Sequence, residues 1–124
     1  MDLSTQDGRA AQTARLNTLA RRDPVAAGAE WRVTSGVHDL LSDDEGRLIA
    51  ARAAILARAI AEFDDFPPGN DPYGERDFGA FTLWDHPMFW KIDYFHPTRE
   101  EHAPCAWSVE LCRRTLTVML ASEY

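Results

Sequence analysis

Hydrophobic and polar positions alternate along this chain with two different periods. Residues 8–22 repeat at helical spacing, with Ala11, Leu16, Leu19 and Ala20 as a modest apolar stripe and Asp7 as the expected cap. Arg21, Arg22, Asp23 and Pro24 end that helix, and Val25–Ala29 reads as a flexible connector. Glu30–Thr34 alternates as a short strand. Gly36 breaks it, and Val37–Leu41 reads as a helical turn or loop.

A second helix is expected from Ser42 to about Phe63. Ser42-Asp43-Asp44-Glu45 has the form of a capping box, in which Ser42 accepts from the Glu45 amide and Glu45 reaches back. Leu48, Ile49, Ile55, Leu56, Ile60 and Phe63 share one face of it, and Arg47, Arg52 and Arg58 another.

Period two returns at Phe78–Trp84 and Met88–Phe95, a hairpin whose expected turn is Asp85-His86-Pro87. Met88, Trp90, Ile92 and Tyr94 share its apolar face, with Phe89, Lys91, Asp93 and Phe95 opposite. Centred on 85–87, the hairpin would pair residue 78 near residue 94 and bring Asp77 towards Asp93. A last helix is expected over about Ala106–Ser122, turning Val109, Cys112, Leu116, Met119 and Leu120 inward.

These elements predict an α+β fold. Three helices pack on a small antiparallel sheet centred on the 78–95 hairpin, with Trp31–Thr34 as a third strand. The chain reads as a single domain over 1–124, with 1–7 frayed, since 124 residues suit one core.

Between helix and hairpin lies a long loop, 64–77, with Pro67, Pro68, Gly69, Asn70, Pro72 and Gly74 as breakers. Loops of this length in compact domains are often functional. Charge sharpens the point. The chain carries a formal −7, and residues 62–85 alone carry −6: seven acids against Arg76. Residues 9–58 carry +2. Such an acidic block repels nucleic-acid phosphates and attracts a basic surface or a divalent cation. The bland alternative is solvated turn chemistry; Asn70 and Asp71 suit turns in their own right.

Candidate chemistry is sparse. No phosphate loop, dinucleotide fingerprint or Gly-x-Ser-x-Gly is present. The acidic loop lacks EF-hand spacing, and the metal ligands that remain are Asp71, Glu75, Asp77 and Asp93. Asp77 and Asp93 meeting near Lys91 could do acid–base work, although a structural ion pair is the favoured reading. Of His86, His96, His102, Cys105 and Cys112, only His102 and Cys105 have zinc-like spacing, with no second pair. No cofactor is expected. On a helix, Cys105 and Cys112 would lie about 10 Å apart at 1.5 Å rise per residue, too far for a disulfide. The chain opens Met1-Asp2-Leu3-Ser4, with no signal-peptide pattern and no apolar run long enough to span a bilayer, so a cytoplasmic location is expected.

Five stretches carry a family resemblance. They are Phe63-Asp64-Asp65-Phe66, Asn70–Glu75, Asp77-Phe78-Gly79, Phe89–Tyr94 and Leu116–Tyr124, with Arg32–Val37 a weaker sixth. Together they resemble a family of small alphaproteobacterial proteins of unknown function, often encoded on plasmids and other mobile DNA. That family usually has histidine where this chain has Arg76, and often an acid at His96, which weakens any catalytic use of the loop. The resemblance implies an accessory protein of mobile elements.

The function expected from these readings is a non-enzymatic acidic binder of a protein partner with a basic surface. A nucleic-acid-handling defence complex, blocked in the manner of anti-CRISPR or anti-restriction proteins, is the specific form. Its expected contacts are Asp64, Asp65, Asp71, Tyr73, Glu75, Asp77, Trp84 and Trp90, with no direct nucleic acid and no membrane. The alternatives are a metal-dependent hydrolase or metal-binding module, and a structural homo-oligomer.

Overall fold

The computed structural model describes residues 2–124; Met1, part of the expected frayed end, lies outside them. Helix α1 spans Gln6–Arg22, followed by a one-turn helix α2, Pro24–Ala27. Strand β1 is Glu30–Val33, α3 is Ser35–Leu41 and α4 is Ala50–Ala61. Strands β2 (Phe78–Leu83), β3 (His86–Phe95) and β4 (Arg113–Leu120) follow, with a terminal 3-10 turn at Ala121–Glu123.

The α+β class stands, with two changes of membership. The strands form one mixed sheet in the order β1-β4-β3-β2, antiparallel except that β1 runs parallel to β4. The expected last helix is strand β4. Its residues alternate: Leu116 and Val118 join the core beneath the helices, while Thr115, Thr117 and Met119 face the other way. Val109, expected inside, is exposed.

The second helix is also shorter than expected. Ser42 does not cap it; its hydroxyl donates to His38 O at 2.7 Å. The Asp43 carboxylate accepts from the Glu45 and Arg47 amides, both at 2.9 Å, and closes a turn at Gly46 (φ 78°). Leu48 then bridges back to Ser42, and α4 starts only at Ala50. Leu56 and Ile60 are buried; Leu48 and Ile55 are exposed. The expected connector 25–29 overlaps α2, which is capped by Asp23 and closed by Gly28 at φ 63°.

One core joins the helices to one face of the sheet. Ala20, Val37, Leu41, Leu56 and Ile60 meet Met88, Trp90, Ile92, Leu116 and Val118. Trp90 is fully buried at its centre, with Phe63 and Phe66 edge-on at 5.5 and 6.0 Å. Gly79 lies opposite Trp90 in the β2–β3 ladder, where any side chain would overlap the indole. At the other end, the Glu123 carboxylate accepts from Thr34 Oγ1 (2.6 Å), the Gly36 amide (3.1 Å) and the Leu120 amide (2.8 Å). It thereby ties the C-terminus to the start of α3. Among the described residues, no helix is long and apolar enough to cross a membrane.

Candidate functional site

Helix α1 runs from Thr5, whose Oγ1 accepts from the Gly8 amide; Asp7, the expected cap, sits inside its first turn. Ala11 is exposed. The buried side includes Thr13, Asn17 and Arg21, three polar residues at i, i+4 spacing beside Leu16 and Ala20. That polar stripe organises the site.

Arg114, buried on β4, donates through Nε to Asn17 Oδ1 at 2.8 Å. Asn17 Nδ2 donates to the Tyr94 hydroxyl at 2.8 Å and to Glu75 O at 3.0 Å. Tyr94 in turn donates to Asp77 Oδ2 at 3.3 Å. Arg114 has only donors, which fixes the Asn17 amide orientation and the direction of every later bond. The result is a directed chain from a buried cation to a carboxylate. Arg114 also donates to Ala106 O and, at 3.3 Å, to Cys112 Sγ. Burial lowers its pKa and raises that of the Cys112 thiol. Both cysteines are free, and neither lies on a helix.

The acidic loop lies above this chain and is built by its own backbone. The Asn70 and Asp71 amides donate to Pro67 O, and the Gly74 amide to Asp71 O. Asp71 Oδ1 accepts from the Arg76 amide at 3.0 Å, holding Arg76 at φ 55°. Asp71 is therefore a turn-forming residue. The Arg76 guanidinium lies 5.0 Å from the Phe66 ring centre, and Arg21 lies 5.4 Å from the same centre. Arg21 itself is buried, donating to Ile60 O and Phe63 O, and its pKa falls to about 10 through burial first and then Arg22 and Arg76.

The hairpin register corrects one expectation. The turn is Trp84-Asp85, both at positive φ, so Leu83 pairs with His86 and Phe78 with Lys91. The Asp77 carboxylate meets Tyr94, whereas Asp93 points to the other face and pairs with Lys91 at 3.3 Å. The two carboxylates share no hydrogen bond among the described residues, although the charge of Asp93 adds to the rise in the Asp77 pKa. Among the described residues, no three His, Cys, Asp or Glu side chains converge to hold a metal ion, so Asp71, Glu75, Asp77 and Asp93 do not make a ligand set.

The expected contact residues divide. Asp64, Asp65 and Tyr73 are exposed, and Asp71, Glu75 and Asp77 half-buried. Trp84 is half-buried beside Leu40 and Arg52. Trp90 is a core residue with no exposed surface and cannot touch a partner.

Next to the loop opens a cleft of about 450 Å³, lined by Arg9 and Thr13 of α1, Tyr73 and Glu75 of the loop, and Pro104 and Trp107. Arg9 sits over the Trp107 ring, 4.4 Å from its centre. Arg9, Trp107, Asn17 and Arg114 were not readable as site residues from spacing. The only trace was the polar stripe at 13, 17 and 21 within an amphipathic helix. Burial, then Asp77 and Asp71, raise the Glu75 pKa; burial first also raises that of Asp77, against the lowering effect of Tyr94.

The profile of a family described as a protein of unknown function, DUF3768, matches residues 33–123. The chain belongs to the DUF3768 family. The matched span holds α3, α4, the acidic loop, β2, β3 and β4. Helix α1, which supplies Asn17 and one wall of the cleft, lies outside the DUF3768 match. Neither a curated protein nor a solved structure matches the chain.

Proposed function

We propose that this DUF3768 protein is a non-enzymatic binding protein whose acidic loop docks on a basic surface of a protein partner. One observation carries the reading. The seven ion pairs among the described residues use Glu30, Asp43, Glu45, Glu62, Asp93, Glu100 and Glu101. None uses Asp64, Asp65, Asp71, Glu75 or Asp77, and the loop's own base, Arg76, is turned onto Phe66.

Carboxylates held on a stapled loop without ion-pair partners among the described residues set up a standing negative field. Such a field steers and orients a positively charged partner. Tyr73, 67% exposed between the acids, has the character of an interface anchor. In its narrower form, the proposal is that the loop blocks a nucleic-acid-handling defence complex in the cytoplasm, as an anti-CRISPR or anti-restriction protein would. The basic grooves that such complexes use for phosphates are the natural complement of a carboxylate display.

The test is a pull-down from a host lysate with the wild-type chain and with an Asp64→Asn, Asp65→Asn, Glu75→Gln variant. The proposal expects partner recovery to fall sharply in the variant at thermal stability no lower than that of wild type. Equal recovery removes the acidic loop from the mechanism.

A further inference from the structure

The cleft beside α1 contains two opposite charges that do not meet. Arg9 lies over Trp107 and donates through Nε to Leu3 O at 2.7 Å. It forms no ion pair among the described residues, and neither does Glu75 across the same cleft. Between them lie Ala10, Thr13, Ala106 and the aromatic sides of Tyr73 and Trp107. The volume, about 450 Å³, falls within the roughly 300–1,000 Å³ typical of small-molecule sites.

We infer that this cleft binds a small zwitterion of the α-amino-acid class. The ligand's ammonium group faces Glu75, its carboxylate faces Arg9, and its side chain lies against Tyr73 and Trp107.

The charge arrangement selects against simpler ligands. A purely cationic ligand would pair with Glu75 but leave Arg9 with a like charge in the same cleft. A purely anionic one would pair with Arg9 and add to the field of Asp77 and Asp71, which already raises the pKa of Glu75. An apolar ligand would strip water from both charges and return nothing. A ligand with both signs a few bonds apart answers both groups at once. The backbone at both charged residues is anchored: Asn17 Nδ2 donates to Glu75 O at 3.0 Å, and Thr13 Oγ1 donates to Arg9 O at 2.8 Å.

This site shares Tyr73 and Glu75 with the docking surface, whereas Asp64 and Asp65 belong to docking alone. The standard L-amino acids, screened by thermal shift and then calorimetry against the full chain, provide the test. At least one should bind saturably at a single site. Its carboxamide, which lacks the carboxylate, and its N-acetyl derivative, which lacks the ammonium, should each bind at least about tenfold more weakly. Arg9→Gln should produce a similar loss, while Asp64→Asn with Asp65→Asn should bind like wild type even where partner capture is lost. The derivatives are titrated into the wild-type chain, so that comparison does not depend on a variant folding. Absence of binding by every amino acid at about 10 mM, well above a millimolar dissociation constant, would overturn the inference. So would a carboxamide that binds as tightly as its parent.

Discussion

Arg114 Nε and Asn17 Oδ1 meet at 2.8 Å across 97 residues of sequence, inside the protein. This bond joins β4 to α1 and starts the chain of donors that ends at Asp77. Asn17→Ala leaves the Nε of a buried guanidinium without its acceptor, while Ala106 O and Cys112 Sγ still accept from the other two nitrogens. The expected cost is about 3 kcal/mol of unfolding free energy, in the range for a buried charged donor that loses its partner. Urea denaturation measures it. The double change Asn17→Leu with Arg114→Met should recover much of the loss, because it removes both ends of the bond.

Asp77 and Glu75 make stability depend on pH in an unusual direction. Both pKa values are raised on folding, from ordinary values of 3.8 and 4.5. The folded chain therefore holds these protons more tightly than the unfolded chain. Their contribution is fully present below those ordinary values and is lost as pH rises through the higher folded ones. Asp2, Glu30 and Glu123, whose pKa values are lowered, act in the opposite sense. The comparison is therefore between variants: Asp77→Asn should be more stable than wild type at neutral pH, with the gap closing towards about pH 3. A gap that stays constant with pH would show that the Asp77 charge is not its source.

Gly79 faces the Trp90 indole, and a Cβ there would also come within 2.7 Å of the Phe63 ring. Gly79→Ala should therefore cost about 3 kcal/mol, the upper end for overpacking a dense core, as read by urea denaturation. Asp64→Asn, on the exposed loop, should shift the same transition by less than about 0.5 kcal/mol.

The parts of the fold legible in the sequence were those with a single strong period. The alternation of Met88, Trp90 and Ile92 against Phe89, Lys91 and Asp93 is what the structure shows in β3. Elsewhere two signals competed. Thr115–Leu120 alternates as a strand, but Cys112, Leu116, Met119 and Leu120 also fit a helical stripe, and strand pairing with both β1 and β3 decides it. Ser42 to Glu45 satisfied a capping pattern, yet Gly46 at positive φ made the turn cheaper through Asp43. The hairpin register failed because two non-glycine residues, Trp84 and Asp85, accept positive φ. As for the site, the acids of the loop were visible as a charge run. The cleft was not, since Arg9, Glu75 and Trp107 are brought together only by packing.

If unpaired carboxylates of loop 64–77 draw a basic partner, binding must depend on salt. The most direct measurement is the dissociation constant of the captured partner as a function of salt, for wild type and for the Asp64→Asn, Asp65→Asn, Glu75→Gln variant. Wild-type affinity should fall as salt rises, and the variant should bind more weakly with a shallower salt dependence. Wild-type affinity that does not change with salt, or a variant with the same slope, would contradict it.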